Sequence, residues 1–393
     1  MLIYLVVLVV LLFLVLRYDL LAKTGGEKAW YYASLLMLIL LAGFRYRVGG
    51  DTIIYMDLFD DNPTIKDLKT FDFGKAEFNP MWYVYNAPFR TLNSYFLLQM
   101  VQAVIVNCSF FHFFRKYTKY YFTAIFIYYI GYYFYFNMEI QREVLCTCLM
   151  LGAYPLIEKK KYLPYYLICA FAMTIHFSAL MMMVLPLMKL VKRESYGLCL
   201  IVSGVIIVLM GVIDVVSFFL SLAFDERTAA VIRSYLAKGQ ANMTGCVVLY
   251  LIAVPFILLM FIRKRYKFTN DEFMGRMLML LCVTQTVGMF VNGFNRFSNY
   301  LMPFGIIYII NTFYLNFNRV RLSQWASVLM SGALFVYFLN LGYYYVKDKS
   351  DDLAGMRVYN RYVPYSSIFN PKMDKNRERL ILNERSGELM LDQ

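Results

Sequence analysis

The sequence predicts an all-α, polytopic integral membrane protein, and three observations lead to this class. Of the 393 residues, 60% are hydrophobic and 18% are aromatic, well above the usual share in soluble domains. Apolar runs that approach the length of a bilayer crossing recur along most of the chain. These runs, such as LIYLVVLVVLLFLVL at residues 2–16, do not alternate polar with apolar positions as strands of a membrane β-barrel do. Helices are therefore expected.

We predict twelve apolar segments that form transmembrane or re-entrant helices. In chain order they lie at residues 2–16, 28–44, 94–114, 120–136, 141–157, 162–175, 177–188, 197–223, 245–262, 275–292, 297–316 and 324–346. Several are shorter than the roughly 20 residues that cross a bilayer comfortably. The two shortest neighbours, 162–175 and 177–188, are candidates for a re-entrant hairpin.

The predicted organisation is one membrane domain followed by a tail. The membrane domain covers residues 1–346, with a long outer loop at 45–93 and an amphipathic outer helix at 224–244. Residues 347–393 are polar and charged, which indicates a C-terminal tail. The first apolar run begins at Leu2 with no basic region before it and no small-residue cleavage site after it, so we expect a first span and not a signal peptide.

Basic residues concentrate in alternate loops, and this predicts the orientation. The net charge is +13, from 39 Lys+Arg against 26 Asp+Glu. Runs such as Lys159–Lys161 and the basic residues of 263–267 fall in one set of loops, as cytoplasmic loops require. The N-terminus is then predicted to lie outside. Because basic loops account for the positive net charge, we expect no nucleic acid partner. Fusing 162–188 into one span would reverse the bias in the second half, so we reject that fusion.

This topology places the unusual polar residues on the outer side. The stretches are RYRVGGDTIIY from Arg45, NMEIQRE from Asn137, TIHFS from Thr174, the 224–244 loop, and NGFNRFSNY from Asn292. The inner loops carry plain runs of lysine and arginine. The asymmetry favours binding or chemistry at the outer leaflet.

The first outer stretch combines Arg45 and Arg47 with Gly49-Gly50 and Asp51. The guanidinium group is a planar fork of donors that suits phosphate oxygens. Glycines allow a tight turn whose backbone amides face an anion. We predict an anion site in which Asp51 orients an arginine or accepts a proton. The alternative is a pair of interfacial arginines followed by an ordinary turn.

Two further stretches hold ionisable groups near the outer interface. Glu139, Gln141 and Arg142 open the fifth apolar segment. Charges at that depth are costly and usually face a partner or a watery cavity, so we favour a functional role over a topological anchor. His176 lies at the joint of two short segments. Its imidazole could bind a sugar hydroxyl or transfer a proton, although a lone histidine is more often a turn or packing residue.

Near the end of the membrane domain, Arg296 is flanked by asparagines that include Asn292 and Asn295. Asparagine offers both donors and acceptors to sugar hydroxyls, so the group predicts contact with carbohydrate or phosphate. The alternative is a short polar turn between spans.

Cys146 and Cys148 have no His or Cys cluster around them, so we expect no metal site. The sequence has no Walker motif or Rossmann fingerprint, and we expect no cofactor.

Three motifs together carry a family resemblance. They are GFRYRVGGDTIIYMDLF at 43–59, QREVLCTCLMLGAYPLIEKKKYLPYYLICAFAMTIHFSALMMM at 141–183, and NRFSNYL at 295–301. In residue types and spacing they resemble the EpsG family of Wzy-like proteins, which are polytopic proteins of bacterial exopolysaccharide, capsule and O-antigen assembly. The resemblance covers roughly residues 1–345.

The resemblance implies a membrane glycosyltransferase that polymerises oligosaccharide repeat units carried on undecaprenyl or a similar polyprenyl diphosphate. It implies a site on the outer face of the bacterial inner membrane, within the bilayer, and work alongside the flippase and chain-length regulator of the same pathway. Glycosyl transfer expels a lipid diphosphate, and preorganised arginines can stabilise its growing charge without a metal.

On this interpretation each candidate residue has an expected role. Substrate binding falls to Arg142 and Arg296 on the diphosphate, Arg45 and Arg47 as a second anion cradle, and Gln141, Asn292 and Asn295 nearby. The base for the acceptor hydroxyl is His176, Asp51 or Glu139. The sequence does not choose among these three.

Two other functions compete with polymerisation. A flippase for lipid-linked oligosaccharide would also need arginines, but it should scatter charge through its spans and show related halves. No internal repeat is visible here, and the charges gather at one face. Another membrane glycosyltransferase, or an acyltransferase using His176, would alter the composition of a surface glycan without shortening it.

Overall fold

The computed structural model describes residues 1–76, 78–191, 271–288, 294 and 296–318, isolated positions between 332 and 346, and residues 357–381. All regular structure in these ranges is helical, and the pairing between extended residues there is limited to isolated bridges. The all-α class is therefore confirmed. The predicted segments 197–223 and 245–262, the 224–244 helix, most of segment 324–346 and the two ends of the tail lie outside the described residues.

The chain divides into two compact units. The first unit combines residues 1–180 with residues 341–393, and the second unit is residues 181–340. The part of the polar tail that the structure describes, 357–381, is thus built into the first unit.

Between Leu2 and Met173 the first unit has nine α-helices. They are α1 (Leu2–Leu14), α2 (Glu27–Gly43), α3 (Gly50–Asp57), α4 (Pro80–Thr91), α5 (Tyr95–Tyr117), α6 (Tyr121–Tyr128), α7 (Phe134–Met138), α8 (Gln141–Glu158) and α9 (Tyr162–Met173). A π-helical stretch, Val15–Leu20, extends α1, and another, Tyr129–Tyr133, joins α6 to α7. α5 packs against α2 and α8, and α8 packs against α9.

Local sequence explains where the helices nearest the site begin. α4 starts with Pro80, whose fixed φ suits the first helical position and whose missing N–H costs nothing there. α5 starts after Ser94, whose hydroxyl accepts a hydrogen bond from the Leu97 backbone N–H at 3.2 Å. The start of α5 lies beside the end of α2, since Gln99 Nε2 donates to the Gly43 carbonyl at 2.7 Å.

The predicted joint between segments 162–175 and 177–188 corresponds to a break in the helix. α9 ends at Met173, and a 3₁₀ turn over Phe177–Ala179 leads into α10 (Leu180–Val184). At 1.5 Å per residue α9 is about 18 Å long, well short of the roughly 30 Å of a hydrocarbon core.

The predicted number of about twelve spans is not confirmed. Within the described ranges, two helical stretches are long and apolar enough to cross a bilayer, Leu2–Leu20 and Tyr95–Tyr117. Shorter apolar helices occur at Tyr162–Met173, Phe177–Lys189 and Phe273–Gly288. These apolar helices are typical of a membrane protein.

In the second unit, a pair of helices, α11 (Asp271–Gly288) and α12 (Arg296–Asn318), packs closely. A Cβ added at Gly305 on α12 would lie 3.4 Å from the side chains of Leu278 and Leu281 on α11. The small glycine therefore sets the close approach of the two helices.

Candidate functional site

Three stretches of chain meet at one end of the helices of the first unit. We call them the Arg-Gly loop (Arg45–Gly50), the Glu139 corner (Asn137–Arg142) and the C-terminal segment (357–381). The Thr52 hydroxyl donates to the Met138 carbonyl at 2.6 Å. The Gly49 backbone N–H donates to the Arg361 carbonyl at 2.9 Å. The predicted motifs at 45–51 and 137–143 thus lie in contact, and the described part of the predicted tail packs against the Arg-Gly loop.

Gly49 makes the contact between the Arg-Gly loop and the Glu139 corner possible. Its φ is +105° and its ψ is +154°, a conformation that only glycine adopts readily. A Cβ at this position would lie 2.3 Å from the Met138 carbonyl oxygen and 2.7 Å from the Met138 Cβ. Glycine is therefore required here both for its backbone conformation and for the space.

Arg45 holds the Arg-Gly loop from inside. The residue is 3% exposed. Its Nε donates to the Val48 carbonyl at 3.2 Å, Nη1 donates to the Ala42 carbonyl, and Nη2 donates to the Thr52 hydroxyl at 3.0 Å. Burial lowers the pKa of Arg45 below its ordinary value. Because every guanidinium nitrogen has an internal acceptor, these contacts favour a positioning role over direct contact with an anion.

Arg47 is bound by two carboxylates of the same chain. Its Nε and Nη2 each lie 2.6 Å from an oxygen of Glu378, forming a bidentate pair. Its Nη1 donates to Asp57 at 2.8 Å. The hydrogen bonds with Glu378 are the main reason that the pKa of Arg47 is raised. The predicted anion cradle is thus occupied by protein carboxylates.

Arg377 fixes the C-terminal segment against the Arg-Gly loop. It is 1% exposed. Its Nη1 donates to the Arg47 carbonyl at 2.7 Å, its Nε donates to the Asn360 carbonyl at 3.1 Å, and its Nη2 donates to the Pro364 carbonyl. Burial lowers the pKa of Arg377. The segment therefore has a defined path over the loop.

Glu139 joins the corner to the C-terminal segment. It is 5% exposed, and its Oε2 accepts from Arg361 Nη1 at 3.0 Å. Its Oε1 accepts from the Tyr362 hydroxyl. Burial, and then the charge of Glu139, raise the pKa of Tyr362 well above its ordinary value. Both carboxylate oxygens have internal donors, which disfavours Glu139 as the base that meets a substrate hydroxyl.

Buried amides on α5 support the non-helical backbone around the site. Gln99 Nε2 donates to the Gly43 and Arg45 carbonyls at 2.7 and 2.8 Å. Gln102 Nε2 donates to the Gln141 carbonyl at 2.7 Å. Backbone carbonyls that lack a helical partner inside an apolar bundle need such donors. The predicted site residue Gln141 is also structural, since its own Nε2 donates to the Tyr95 hydroxyl at 2.8 Å.

Arg142 is oriented by aromatic side chains. Its guanidinium carbon lies 4.0 Å from the centre of the Phe78 ring and 6.0 Å from the centre of the Tyr55 ring. Its Nε donates to the Tyr55 hydroxyl at 3.1 Å. Tyr55 is buried against Trp82, with ring centroids 5.3 Å apart. The ring faces attract the cation and restrict its orientation.

Arg142 differs from Arg47 and Arg361 in its lack of a carboxylate partner among the described residues. Arg47 pairs with Glu378 and Asp57, and Arg361 pairs with Glu139. The Nη groups of Arg142 donate to no residue in the described ranges, and the side chain is half-buried. A fixed, half-buried cation with donors left over is well suited to bind a phosphate or a diphosphate.

Asp51 lies on α3, the helix that also carries Tyr55, whose hydroxyl accepts a hydrogen bond from Arg142. It is exposed in the first turn of α3, four residues before Tyr55. Residues four apart share a helix face, with Cβ atoms about 5–6 Å apart. The helical spacing therefore puts Asp51 on the same face of α3 as Tyr55, the residue that contacts Arg142.

His176 lies at the break between α9 and the following turn. The Ser178 backbone N–H donates to His176 Nδ1 at 3.2 Å, and the Ser178 hydroxyl lies 2.6 Å from the same nitrogen. Since Nδ1 accepts a hydrogen bond from a backbone amide, the neutral ring carries its proton on Nε2. On this tautomer Nε2 is a donor and not an acceptor, which does not suit His176 to remove a proton from a sugar hydroxyl. The joint is tied to α4, because the Met81 N–H donates to the Thr174 carbonyl at 3.1 Å.

The last predicted group falls in the second unit. Arg296 is the first residue of α12 and is exposed. Asn292 and Asn295 lie outside the described residues. Their expected roles stay predictions.

Several residues at the site were not predicted from the sequence. Arg361, Tyr362 and Glu378 belong to the stretch assigned to a polar tail, and their charge pattern alone gave no partner. Tyr55 and Phe78 are two of the chain's 35 tyrosines and 34 phenylalanines, so composition could not single them out. The α5 amides had a usable signal, because Gln99 and Gln102 are polar residues three apart within an apolar helix.

Comparison with known proteins gives one match. The sequence model of the EpsG family matches residues 28–367. That range covers the Arg-Gly loop, the Glu139 corner and His176, and it continues through Arg361 and Tyr362. No curated protein and no solved structure matches the chain.

Proposed function

The chain belongs to the EpsG family, a Wzy-like polymerase-type family of polysaccharide biosynthesis, and from this membership we propose that it polymerises lipid-linked oligosaccharide repeat units. The donor is a growing glycan on a polyprenyl diphosphate, and the acceptor is a single repeat unit on the same type of lipid. The reaction takes place at the outer face of a bacterial inner membrane, and a flippase and a chain-length regulator act in the same pathway.

The chemistry defines what the site must supply. The acceptor hydroxyl attacks the anomeric carbon of the donor sugar that carries the lipid diphosphate. The bond between that carbon and the diphosphate oxygen breaks, the new glycosidic bond forms, and the hydroxyl proton passes to a base. Negative charge grows on the leaving diphosphate, so a cation aimed at it lowers the barrier more than it strengthens binding of the intact donor.

The observation that carries this proposal is the geometry of Arg142. Its position is fixed by the hydrogen bond to Tyr55 and by the Phe78 ring, while its terminal nitrogens donate to no described residue. No reorganisation is then needed when the leaving group becomes charged. Arg45 and Arg47 support the proposal indirectly, since they shape the loop from which α3 and Tyr55 follow.

We assign the base to Asp51. It is exposed and lies one helical turn from Tyr55. Both carboxylate oxygens of Glu139 have internal donors, and His176 has its accepting nitrogen directed at Ser178. His176 then donates to a sugar hydroxyl. Arg296, with Asn292 and Asn295, contacts the glycan or the second diphosphate.

The decisive experiment follows the glycan product of the purified protein in lipid vesicles, with synthetic polyprenyl-diphosphate repeat units as donor and acceptor. The wild type should form a ladder and release one polyprenyl diphosphate for each new bond. Arg142→Ala should reduce the rate by about 100-fold or more, the usual cost of losing one preorganised donor. Arg142→Lys should keep part of the rate, because it retains the charge but loses the planar fork.

The matched control is Arg90→Ala, which removes an arginine of α4 whose Nη1 donates to Asn93 at 2.6 Å. This variant should polymerise at the wild-type rate. Units of unchanged length that cross the vesicle membrane would show a flippase instead. Units that gain a substituent without elongation would show a modifying enzyme. Equal rates for Arg142→Ala and Arg90→Ala would remove Arg142 from the mechanism.

A further inference from the structure

The first unit contains an apolar cavity of about 670 Å³ between α4, α5, α8 and α9. Its walls include Val84, Ile105, Leu145, Leu149, Leu167 and Phe171. The volume is within the usual range of small-molecule sites. A sugar in this space would lose hydrogen bonds to water with almost none in return, so the cavity fits a hydrocarbon and not a glycan.

One polar group in the wall points to a ligand. The Tyr85 hydroxyl is buried, and no described residue lies within hydrogen-bonding distance of it. A buried hydroxyl without a hydrogen-bond partner destabilises the protein. The hydroxyl of Ser109, the other hydroxyl in the wall, already donates to the Ile105 carbonyl at 2.7 Å. The occupant of the cavity should therefore be mainly apolar but bring one acceptor to Tyr85.

The cavity lies next to the surroundings of Arg142. Leu145 follows Arg142 by three residues on α8, so the two share a face of that helix. Leu145 belongs both to the cavity wall and to the buried cluster with Tyr55 and Trp82. The Trp82 ring also contacts the Tyr85 ring, with centroids 5.8 Å apart. The anionic head of a ligand at Arg142 would thus lie about one helical turn from the cavity wall.

The other side of the cavity is open to the surface of the helices. Val84, Leu167 and Phe171 are 39%, 64% and 45% exposed. Large apolar side chains in these positions are suited to contact with lipid chains. A long hydrocarbon can therefore leave the cavity toward the bilayer and need not fit inside it entirely.

We propose that this cavity binds the isoprene units next to the diphosphate of the lipid-linked substrate, an inference that rests on the proposed function. The diphosphate lies at Arg142, an oxygen at the head of the lipid accepts from the Tyr85 hydroxyl, and the first isoprene units lie among the apolar side chains. Burial of each apolar group of the lipid away from water stabilises the complex. The lipid thereby holds the anomeric carbon in place while the glycan remains outside.

Gly152 offers a way to fill the cavity without disturbing the polar site. It lies in the cavity wall on α8, and a Cβ built there meets nothing within 4 Å. Gly152→Trp should therefore occupy the space, and any side chain is favoured over glycine inside a helix. The matched control is Leu36→Trp, which places the same ring at an exposed position of α2, outside the cavity.

The test is photo-crosslinking of the full-length protein in vesicles with a polyprenyl diphosphate that carries a benzophenone in its first isoprene units. Wild type and Leu36→Trp should be labelled on α4 or α9, and Gly152→Trp should lose at least 10-fold of that label. Unlabelled polyprenyl diphosphate should compete, and phosphatidylglycerol should not. Label elsewhere, label unchanged in Gly152→Trp, or equal competition by phosphatidylglycerol would overturn the proposal.

Crosslinking does not require turnover, so the two proposals can fail separately. Labelled wild-type protein that forms no glycan ladder would refute polymerisation and leave the lipid site standing. A ladder without label in the cavity would refute the lipid site alone.

Discussion

Replacing Gly49 with alanine should dislocate the candidate site, and the structure gives the size of the effect. Gly49 has φ +105° and ψ +154°, where a residue with a Cβ costs about 1–3 kcal/mol. The new methyl group would also lie 2.3 Å from the Met138 carbonyl oxygen. Relieving that overlap requires the corner to move, at a typical cost of about 1–3 kcal/mol. The sum is about 2–6 kcal/mol.

Gly25→Ala separates the two contributions to this destabilisation. Gly25 has a similar φ of +99°, but a Cβ there meets nothing within 4 Å. Its substitution should cost only the backbone strain, about 1–3 kcal/mol. The free energy of unfolding of both variants can be measured by denaturant titration in detergent micelles, with the glycan ladder as a second readout.

The contact with Met138 predicts a difference in function as well as stability. Gly49→Ala should abolish the ladder at temperatures where the protein remains folded, because displacement of Met138 also moves Glu139 and Arg142. Gly25→Ala should keep the wild-type rate. Equal destabilisation of the two variants, or full activity of Gly49→Ala, would refute the inference that this close approach sets the geometry of the site.

Three further predictions address other parts of the site. A double-mutant cycle of Arg47→Ala and Glu378→Ala, measured as free energies of unfolding, should give a coupling of about 1.5–3 kcal/mol for the charged hydrogen bonds; a coupling near zero would contradict the bidentate pair. Asp51→Asn should lower kcat by about 10²–10⁴-fold with little change in KM, whereas the exposed Asp72→Asn should not. Tyr85→Phe should raise the free energy of unfolding of lipid-free protein by about 1–3 kcal/mol and weaken binding of the polyprenyl diphosphate; a loss of stability would show that the hydroxyl has a partner inside the protein.

The helical class could be predicted because long apolar runs exclude most other architectures in a membrane. The number of spans could not be predicted equally well. α9 has 12 residues and the 177–188 region divides into a 3₁₀ turn, α10 and a second 3₁₀ turn, and hydropathy alone does not distinguish short buried helices from crossings.

The candidate site was predictable as motifs but not as contacts. Arg47 was recognised from its neighbours at 45–51, yet its strongest partner, Glu378, is 331 residues further along the chain. Glu139 and Arg361 are 222 residues apart. A charged residue in a polar stretch has the same sequence signature whether it faces water or a distant partner. Charge patterning therefore indicated Arg142 and Arg47 alike, and only the three-dimensional contacts distinguish them.

The C-terminal segment has a consequence for biosynthesis. The Tyr4 hydroxyl donates to the Tyr362 carbonyl at 2.8 Å, so residues translated far apart in time share one packed structure. At about 5–20 residues per second, the ribosome needs roughly 10–35 s to go from Leu180 to residue 357. During that interval Glu139 and Arg47 lack Arg361 and Glu378. The nascent protein therefore waits in the membrane with an incomplete site, and a premature stop codon before residue 357 should yield an inactive, protease-sensitive product.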